Sequence, residues 1–546
     1  MHPKWQLLTL ASTLAVAAAV AVSAWGQKPP QSRTFMVPMR DGTRLATEVW
    51  LPPGEGPWPA VLTRTPYGRT NFANDDALRL GYAVIAQDCR GRFDSQGENV
   101  AFLNDAWGER QDGYDTVEWI ASQPWCNGKV GTLGGSAMGI TQNLLAPSAP
   151  PHLVCQFVGV AAADLYHDAV FQGGAFRKSL VENWLRDNEF DPATLELMTS
   201  HPNYDEFWRG MSPQTHAAQV RVPVYQMGGW FDIFSQGTVN AFRALQHNGG
   251  TGAKGNAKLV MGPWTHGGHG ERQQGELVFP EQARQPPLRD HLGRWFEHWM
   301  KGKQTGIMDE PAVTYYVMGD VDDPNAPGNE WRTAEDFPPK ATPVQFYLHA
   351  DGRLSREKPG GNEAADSYEY DPRNPVPTLG GNNLTIPAGS FDQRPVEDRP
   401  DVLVCTTAPL SEPVEATGWV RVRLFASSNC TDTDFTAKLT DVYPDGRSML
   451  ILDGIIRARH RNSFETEEMM EPGEIYEFEI NLWPTSIVFN KGHRIRLAIS
   501  SSNSPRFEPN PNTGEPFRAS DRTVVAKNTI YHDAAHPSAL ILPVPE

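Results

Sequence analysis

Lys129-Val-Gly-Thr-Leu-Gly134-Gly-Ser136-Ala-Met-Gly139-Ile-Thr-Gln-Asn-Leu-Leu145 is the stretch on which the fold turns. It reads as a short apolar strand, a glycine-flanked serine, and the first turns of a helix. That order is the setting of a nucleophile elbow, in which a strained turn lifts a serine hydroxyl above the end of a sheet. Small neighbours are required so that strand and helix can approach. Gly134 meets this need two residues before the serine. Two residues after it stands Met138, and the next glycine comes one place later, at Gly139. The G-x-S-x-G pattern is therefore broken, and an incidental serine on a glycine-rich turn remains open until the rest of the chain is read.

The chain has 546 residues, too many for one core, and two or three domains are expected. Its net charge of -17 lacks the basic footprint that nucleic acid requires. His2 and Lys4, the apolar run Leu7–Val22 and the small residues Val22-Ser23-Ala24 read as a signal peptide over residues 1–24, with an uncleaved anchor as the rival reading. The expectation is an exported protein, periplasmic or secreted, with no stable membrane span after cleavage. Cys89, Cys126, Cys155, Cys405 and Cys430 are scattered without a C-x-x-C pair. Export permits a disulfide, and Cys405 with Cys430 is one pairing the sequence allows.

From residue 33 the chain opens with a hairpin, Thr34–Trp50 around Asp41-Gly42. Apolar runs at 60–63, 83–86, 130–133, 153–158, 222–227 and 258–261 then alternate with helical segments such as Tyr114–Ile120. Such alternation predicts an α/β domain with a mainly parallel sheet, ligands lying beyond the carboxyl ends of its strands. The alternation stops between 166 and 218, which reads as an inserted helical cap between hydrolase segments 33–165 and 219–305. Residues 306–340 read as a loop-rich connector. From 341 to 546, runs such as Trp419–Phe425 and Ile475–Ile480 predict a β jelly roll or sandwich.

Two loops after strands carry the residues that would complete a nucleophilic site, Gly228-Gly-Trp-Phe-Asp232 and Gly262-Pro-Trp-Thr-His266. Ser136, Asp232 and His266 stand in the chain order of an α/β-hydrolase triad. His266 would take the serine proton, and Asp232 would fix its tautomer. His266 and His269 do not by themselves make a metal site, because no third ligand pattern accompanies them and their spacing is short.

With these residues in place, the chain resembles the cocaine esterase-type serine hydrolases, a group that includes X-Pro dipeptidyl peptidases and α-amino-acid ester hydrolases. The resemblance runs from about Thr34 to the C-terminus. It rests on Arg64-Thr-Pro-Tyr67, Gln87-Asp-Cys-Arg-Gly91, Trp125–Gly131, Gly134–Gly139, Ala163-Asp-Leu-Tyr166, Gly229–Asp232 and Gly262–His266. Pro444-Asp-Gly-Arg447, Trp483–Ser486, Gly492–Arg496 and Ser500–Asn503 extend it through the second half. It implies an α/β-hydrolase fold with a helical cap and a jelly roll. It also implies an oxyanion hole made by the Tyr67 hydroxyl and the backbone N–H of Ala137, at a position where the family usually has tyrosine. Tyr67 follows a strand, so it too belongs on the ligand edge.

By the same resemblance, Trp230, Phe231 and Phe234 would wall the acyl pocket. The four residues after Asp232 carry no charge, which favours neutral acyl groups; Asp164 and Asp168 are the carboxylates that would reverse this preference. The expected activity is hydrolysis of a small-molecule ester or amide through an acyl-enzyme on Ser136, with no metal or organic cofactor. An aminoacyl-specific enzyme is the alternative within the family. A surface- or carbohydrate-binding protein with an inactive hydrolase domain is the alternative outside it. A homo-oligomer is left open.

Overall fold

The computed structural model describes residues 32–546 apart from 107 and 362, so the signal segment read at 1–24 lies outside the described residues. Asp41-Gly42 closes the predicted hairpin between β1 (Ser32–Pro38) and β2 (Arg44–Trp50). The alternating segments that follow are β3 (Trp58–Thr65), β4 (Ala83–Asp88), β5 (Cys126–Gly135), β6 (Leu153–Gly159), β7 (Val224–Phe231) and β8 (Lys258–Thr265). Residues 306–340, expected as a loop-rich connector, instead supply β9 (Val313–Val317) and β10 (Glu330–Ala334). All ten join one sheet in the order β1-β2-β4-β3-β5-β6-β7-β8-β9-β10. The run from β4 through β9 is parallel throughout. The connector reading failed because β9 is short and β10 is polar and half exposed; edge strands lack the apolar run that marks a central one.

Period-two alternation sorts the strand residues onto two faces. Leu62, Val158, Leu259 and Met261 pack with Ile140 and Val239, from the helices Ala137–Leu145 and Ser235–Asn248. Val61, Phe157, Tyr225 and Val260 pack with Trp295 and Phe296 of the helix His291–Lys301. Residues 165–219 leave the sheet. They form an irregular helical turn at 165–170, a tight hairpin at 171–176, and helices Lys178–Asp187, Ala193–Thr199 and Glu206–Arg209. The C-terminal part is β-rich and antiparallel, a seven-stranded sheet and a four-stranded one. No helix among the described residues is long and apolar enough to cross a membrane.

The two parts share backbone hydrogen bonds. Met318, the residue after β9, pairs with the C-terminal strand Tyr476–Phe489, donating to Ser486 O at 2.9 Å and accepting from Val488 N at 2.8 Å. The hairpin tip Gly173 accepts from Arg457 N at 2.8 Å, and a Cβ there would lie 1.8 Å from the carbonyl oxygen of Ile455.

The pairing of Cys405 with Cys430 that the sequence allowed does not occur: all five cysteines are free, four of them buried. Burial pushes the Cys405 thiol up to about 12, so it is held protonated and unreactive. Denatured without reductant, the protein is expected to titrate all five thiols with an aromatic disulfide reagent; a count of three would reveal a bridge.

Candidate active site

β5 runs through Gly135, and the helix Ala137–Leu145 begins at once, so Ser136 must make the whole turn. It does so at φ 58° and ψ -128°, a conformation that side chains rarely adopt. Its N–H is held by Gly159 O at 3.0 Å. The broken glycine pattern now has a steric account. A Cβ on Gly134 would lie 2.6 Å from Cβ of Met138, so the glycine before the serine makes room for the methionine after it. A Cβ on Gly139 would lie 2.6 Å from Cβ of Ala161 and 2.9 Å from Gly159 O, so Gly139 is what lets the helix approach the end of β6.

Gly228–Phe231 and Gly262–Thr265, read as loops, are instead the last residues of β7 and β8. Asp232 and His266 are the first residues beyond them. An irregularity in β8 makes these two meet. Gly262 pairs with Gly229, yet Thr265 pairs with Phe231, so β8 carries one extra residue over this span. Such a bulge shifts everything after it by one place, and His266 arrives beside Asp232. Gly229 is required here, since a Cβ would lie 2.1 Å from Trp264 O.

The side chains form one hydrogen-bonded line. His266 Nδ1–H donates to Asp232 Oδ2 at 2.6 Å, which leaves Nε2 to accept from the Ser136 hydroxyl at 2.8 Å. The other Asp232 oxygen accepts from Phe234 N at 2.7 Å. All three residues are buried. Tyr67, two residues past β3, brings its hydroxyl within hydrogen-bonding reach of Ser136. Burial raises the Tyr67 phenol above its ordinary range, and hydrogen bonds with Trp184 and Ser136 offset part of that rise. Trp184 Nε1–H donates to the phenol oxygen at 3.0 Å, so the phenol's own proton is left to point elsewhere. Ala137, the first residue of its helix, carries one of the N–H groups for which a helix has no internal partner.

Beside Ser136 lies an open, apolar pocket. Phe102, Ile140, Leu165, Leu180, Trp184 and Phe234 are among its walls, and none of the described residues that line it is charged. Phe102 and Trp184 stack, with centroids 5.6 Å apart and planes 7° from parallel. Of the residues read as acyl-pocket walls, Phe234 lies on the pocket. Trp230 and Phe231 do not, because β7 continues through both and alternation turns them into the packed layers. Trp230 donates to Tyr316 O at 2.7 Å.

Asp164 and Asp168 do not line the pocket either. Asp164 caps the turn at 165–170, accepting from His167 N at 2.9 Å and from the Tyr204 hydroxyl at 3.1 Å. Asp168 accepts from the N–H groups of Ala163 and Asp164. Burial, with the neighbouring Asp164 charge, pushes Asp168 up to about 7. His269 packs against the Trp264 ring, 4.2 Å between centroids, and burial lowers it to about 4. Sequence reasoning missed Phe102, Leu165, Leu180 and Trp184. The signal for the last two was the apolar stripe of the helix Lys178–Asp187, which does not reveal what it faces.

Comparison with known proteins agrees with this geometry. Residues 41–188 and 178–268 match the X-Pro dipeptidyl-peptidase (S15 family) domain, and 305–541 match the X-Pro dipeptidyl-peptidase C-terminal non-catalytic domain. Cocaine esterase of Rhodococcus sp. (strain MB1 Bresler) is 34% identical, over 93% of this chain and 97% of its own. An aminopeptidase from the marine sediment archaeon Thaumarchaeota archaeon superposes with a TM-score of 0.82 at 26% identity, covering 97% of this chain and 99% of that one. An α-amino acid ester hydrolase superposes with a TM-score of 0.80 at 27% identity, with the same coverage.

Gly229→Ala is expected to lower stability by roughly 1–3 kcal/mol, because the clash is with backbone that cannot turn aside. Gly267→Ala, three residues past Trp264 with nothing within 4 Å of the added carbon, should leave the unfolding midpoint unchanged. Urea denaturation of the two variants side by side makes the comparison.

Proposed function

The chain belongs to the cocaine esterase-type serine hydrolases, and from that premise we propose that it hydrolyses small carboxylic esters, neutral acyl groups preferred, through an acyl-enzyme on Ser136. The observation that carries this reading is the line Ser136–His266–Asp232 opening on an uncharged pocket. His266 Nε2 takes the serine proton as Oγ attacks the carbonyl carbon, and the imidazolium that forms is stabilised by Asp232. The oxyanion is met by the Tyr67 hydroxyl and the Ala137 N–H, two donors of the kind whose individual loss costs roughly 10²–10³ in turnover. His266 then returns the proton to the leaving alcohol. A water molecule activated by the same imidazole releases the acid.

The acyl group has the pocket to fill, and the stacked Phe102–Trp184 pair suits a flat or aromatic one. An α-ammonium in that space would lack a partner, at a cost of several kcal/mol. The carboxylates that would supply one are otherwise engaged: Asp164 in its cap, and Asp168 on backbone N–H groups at an ionisation near 7. The helices between 166 and 218 serve in this proposal as the cap that closes the pocket, and 341–546 as a jelly roll. The apolar N-terminal run with its small-residue cleavage site supports export.

Ser136→Ala should reduce turnover by on the order of 10⁴ or more with the fold intact. Tyr67→Phe should cost roughly 10²–10³ in kcat with a small change in KM. Trp184→Phe, which keeps a ring and removes the indole donor, should cost about 3- to 10-fold, the worth of one neutral hydrogen bond. Acyl preference is tested by kcat/KM for phenylacetyl and phenylglycyl esters of one alcohol, at a pH where the amine is protonated. The phenylacetyl ester should win; a preference for phenylglycyl, lost on Asp164→Asn or Asp168→Asn, would establish the aminoacyl reading instead.

A further inference from the structure

The loop at 380–389 belongs to the C-terminal part of the chain, which matches a domain described as non-catalytic. It is preformed. Gly381 and Gly389 exchange backbone hydrogen bonds of 2.7 and 2.9 Å across its neck, and Asn383 Nδ2 donates inward to Gly380 O and Pro387 O at 2.7 and 2.9 Å. Gly380 and Gly381 stand at φ 66° and 97°, in the left-handed region that glycine adopts freely. The loop is also locked to the hydrolase sheet's periphery, where Ser390 N donates to Gln274 O at 3.1 Å and Glu276 N donates to Ser390 O at 2.8 Å.

Three residues of this loop reach into the site. Asn382 is buried, and its amide nitrogen donates to Trp230 O at 3.0 Å and to Asp232 O at 2.7 Å. Leu384 lines the pocket. Thr385 hydroxyl donates to Ser179 O at 2.7 Å and accepts from Asn183 Nδ2 at 3.0 Å, which fixes the helix that carries Trp184. Asp232 sits where β7 has just ended, so the sheet ladder no longer holds its backbone. Its carbonyl accepts from Ser235 N at 3.1 Å within the turn, and the Asn382 amide adds a second donor there that comes from another part of the chain. Arg177 Nη1 donates to the next carbonyl, Ile233 O, at 3.1 Å. Three carbonyls around the triad acid are thus gripped from outside the hydrolase sheet, two of them by one asparagine.

We infer that Asn382 is a positioning residue for the proposed reaction: by clamping the carbonyls of Trp230 and Asp232 it aims the Asp232 carboxylate at His266, so that the C-terminal domain holds the triad acid in register. The inference rests on the triad reading above. Asn382 touches neither substrate nor reacting atoms, and its effect passes through the orientation of Asp232.

The test uses the full chain, with a fluorophosphonate titration to count competent Ser136 sites, so that turnover is expressed per folded site. Asn382→Ala should lower kcat per titrated site by on the order of 10²-fold, the scale of a misplacement of about 1 Å, with KM changed little. The strongly deshielded proton shared by His266 Nδ1 and Asp232 should broaden or vanish from the proton NMR spectrum. Asn382→Ser keeps one hydroxyl donor and should recover part of both; if the alanine variant yields no titratable sites, the serine variant carries the same comparison against wild type. Wild-type kcat per titrated site together with an unchanged shared proton, in whichever variant folds, would overturn the inference and leave Asn382 a stabilising residue only. Failure of the wild type to label at Ser136 would overturn the hydrolase reading itself, and this inference with it.

Discussion

Ser136 is held at φ 58° in the space of one residue between a strand and a helix, and the arrangement of the site follows from that constraint. Such a conformation costs on the order of 1–3 kcal/mol and persists only where the surroundings leave no alternative. Here they leave none. The helix is wholly buried, Gly139 seats it against the end of β6, and Gly134 yields its side-chain space to Met138. The hydroxyl is thereby fixed above the carboxyl ends of β5 and its neighbours. Asp232 and His266 emerge at the same edge from β7 and β8, brought abreast by a single extra residue in β8.

Around that fixed point three separate parts of the chain contribute. The sheet supplies Ser136, Asp232 and His266. The helical segment after 165 supplies the indole of Trp184, which bonds the Tyr67 hydroxyl while its ring walls the pocket. The C-terminal part supplies Asn382 and Leu384 on one loop, and the same loop is tied to the helix that carries Trp184. The pocket, the proposed oxyanion donor and Asp232, the proposed triad acid, therefore share supports. A disturbance of the helix-loop contact reaches more than one of them, and the hydrolase and β-rich parts depend on each other at the site.

The uncharged pocket belongs to the same design. Charged groups are close by, but each is spent on structure: Asp164 on a cap, Asp168 on backbone N–H groups, Arg177 on carbonyls. Burial pushes Asp168 up and Arg177 down, to about 7 and about 9, and neither side chain lines the pocket. Under the proposed function, a neutral acyl group would be favoured there by apolar contact, and a charged one would find no partner among these side chains.

Local chemistry determined what could be read from the chain alone. Alternating apolar segments fixed the parallel sheet, the Asp41-Gly42 turn fixed the first hairpin, and the order of Ser136, Asp232 and His266 after successive strands fixed the candidates for the site. These are properties of period, turn geometry and chain order, and they need no knowledge of distant partners. The tertiary structure decided the rest. Trp230 and Phe231 went to the core because β7 runs on past its apolar stretch, and polar β10 became a strand because a neighbour's open edge accepted it. Cys405 and Cys430 stay unpaired: Cys405 lies on a strand of the four-stranded sheet, and Cys430 follows a strand of the seven-stranded one. The pocket walls Phe102, Leu180 and Trp184, and the clamp at Asn382, are ordinary apolar or amide residues whose role exists only through what lies opposite them. No period or motif encodes a contact between residues 150 positions apart, such as Asn382 with Asp232; the folded chain alone creates it.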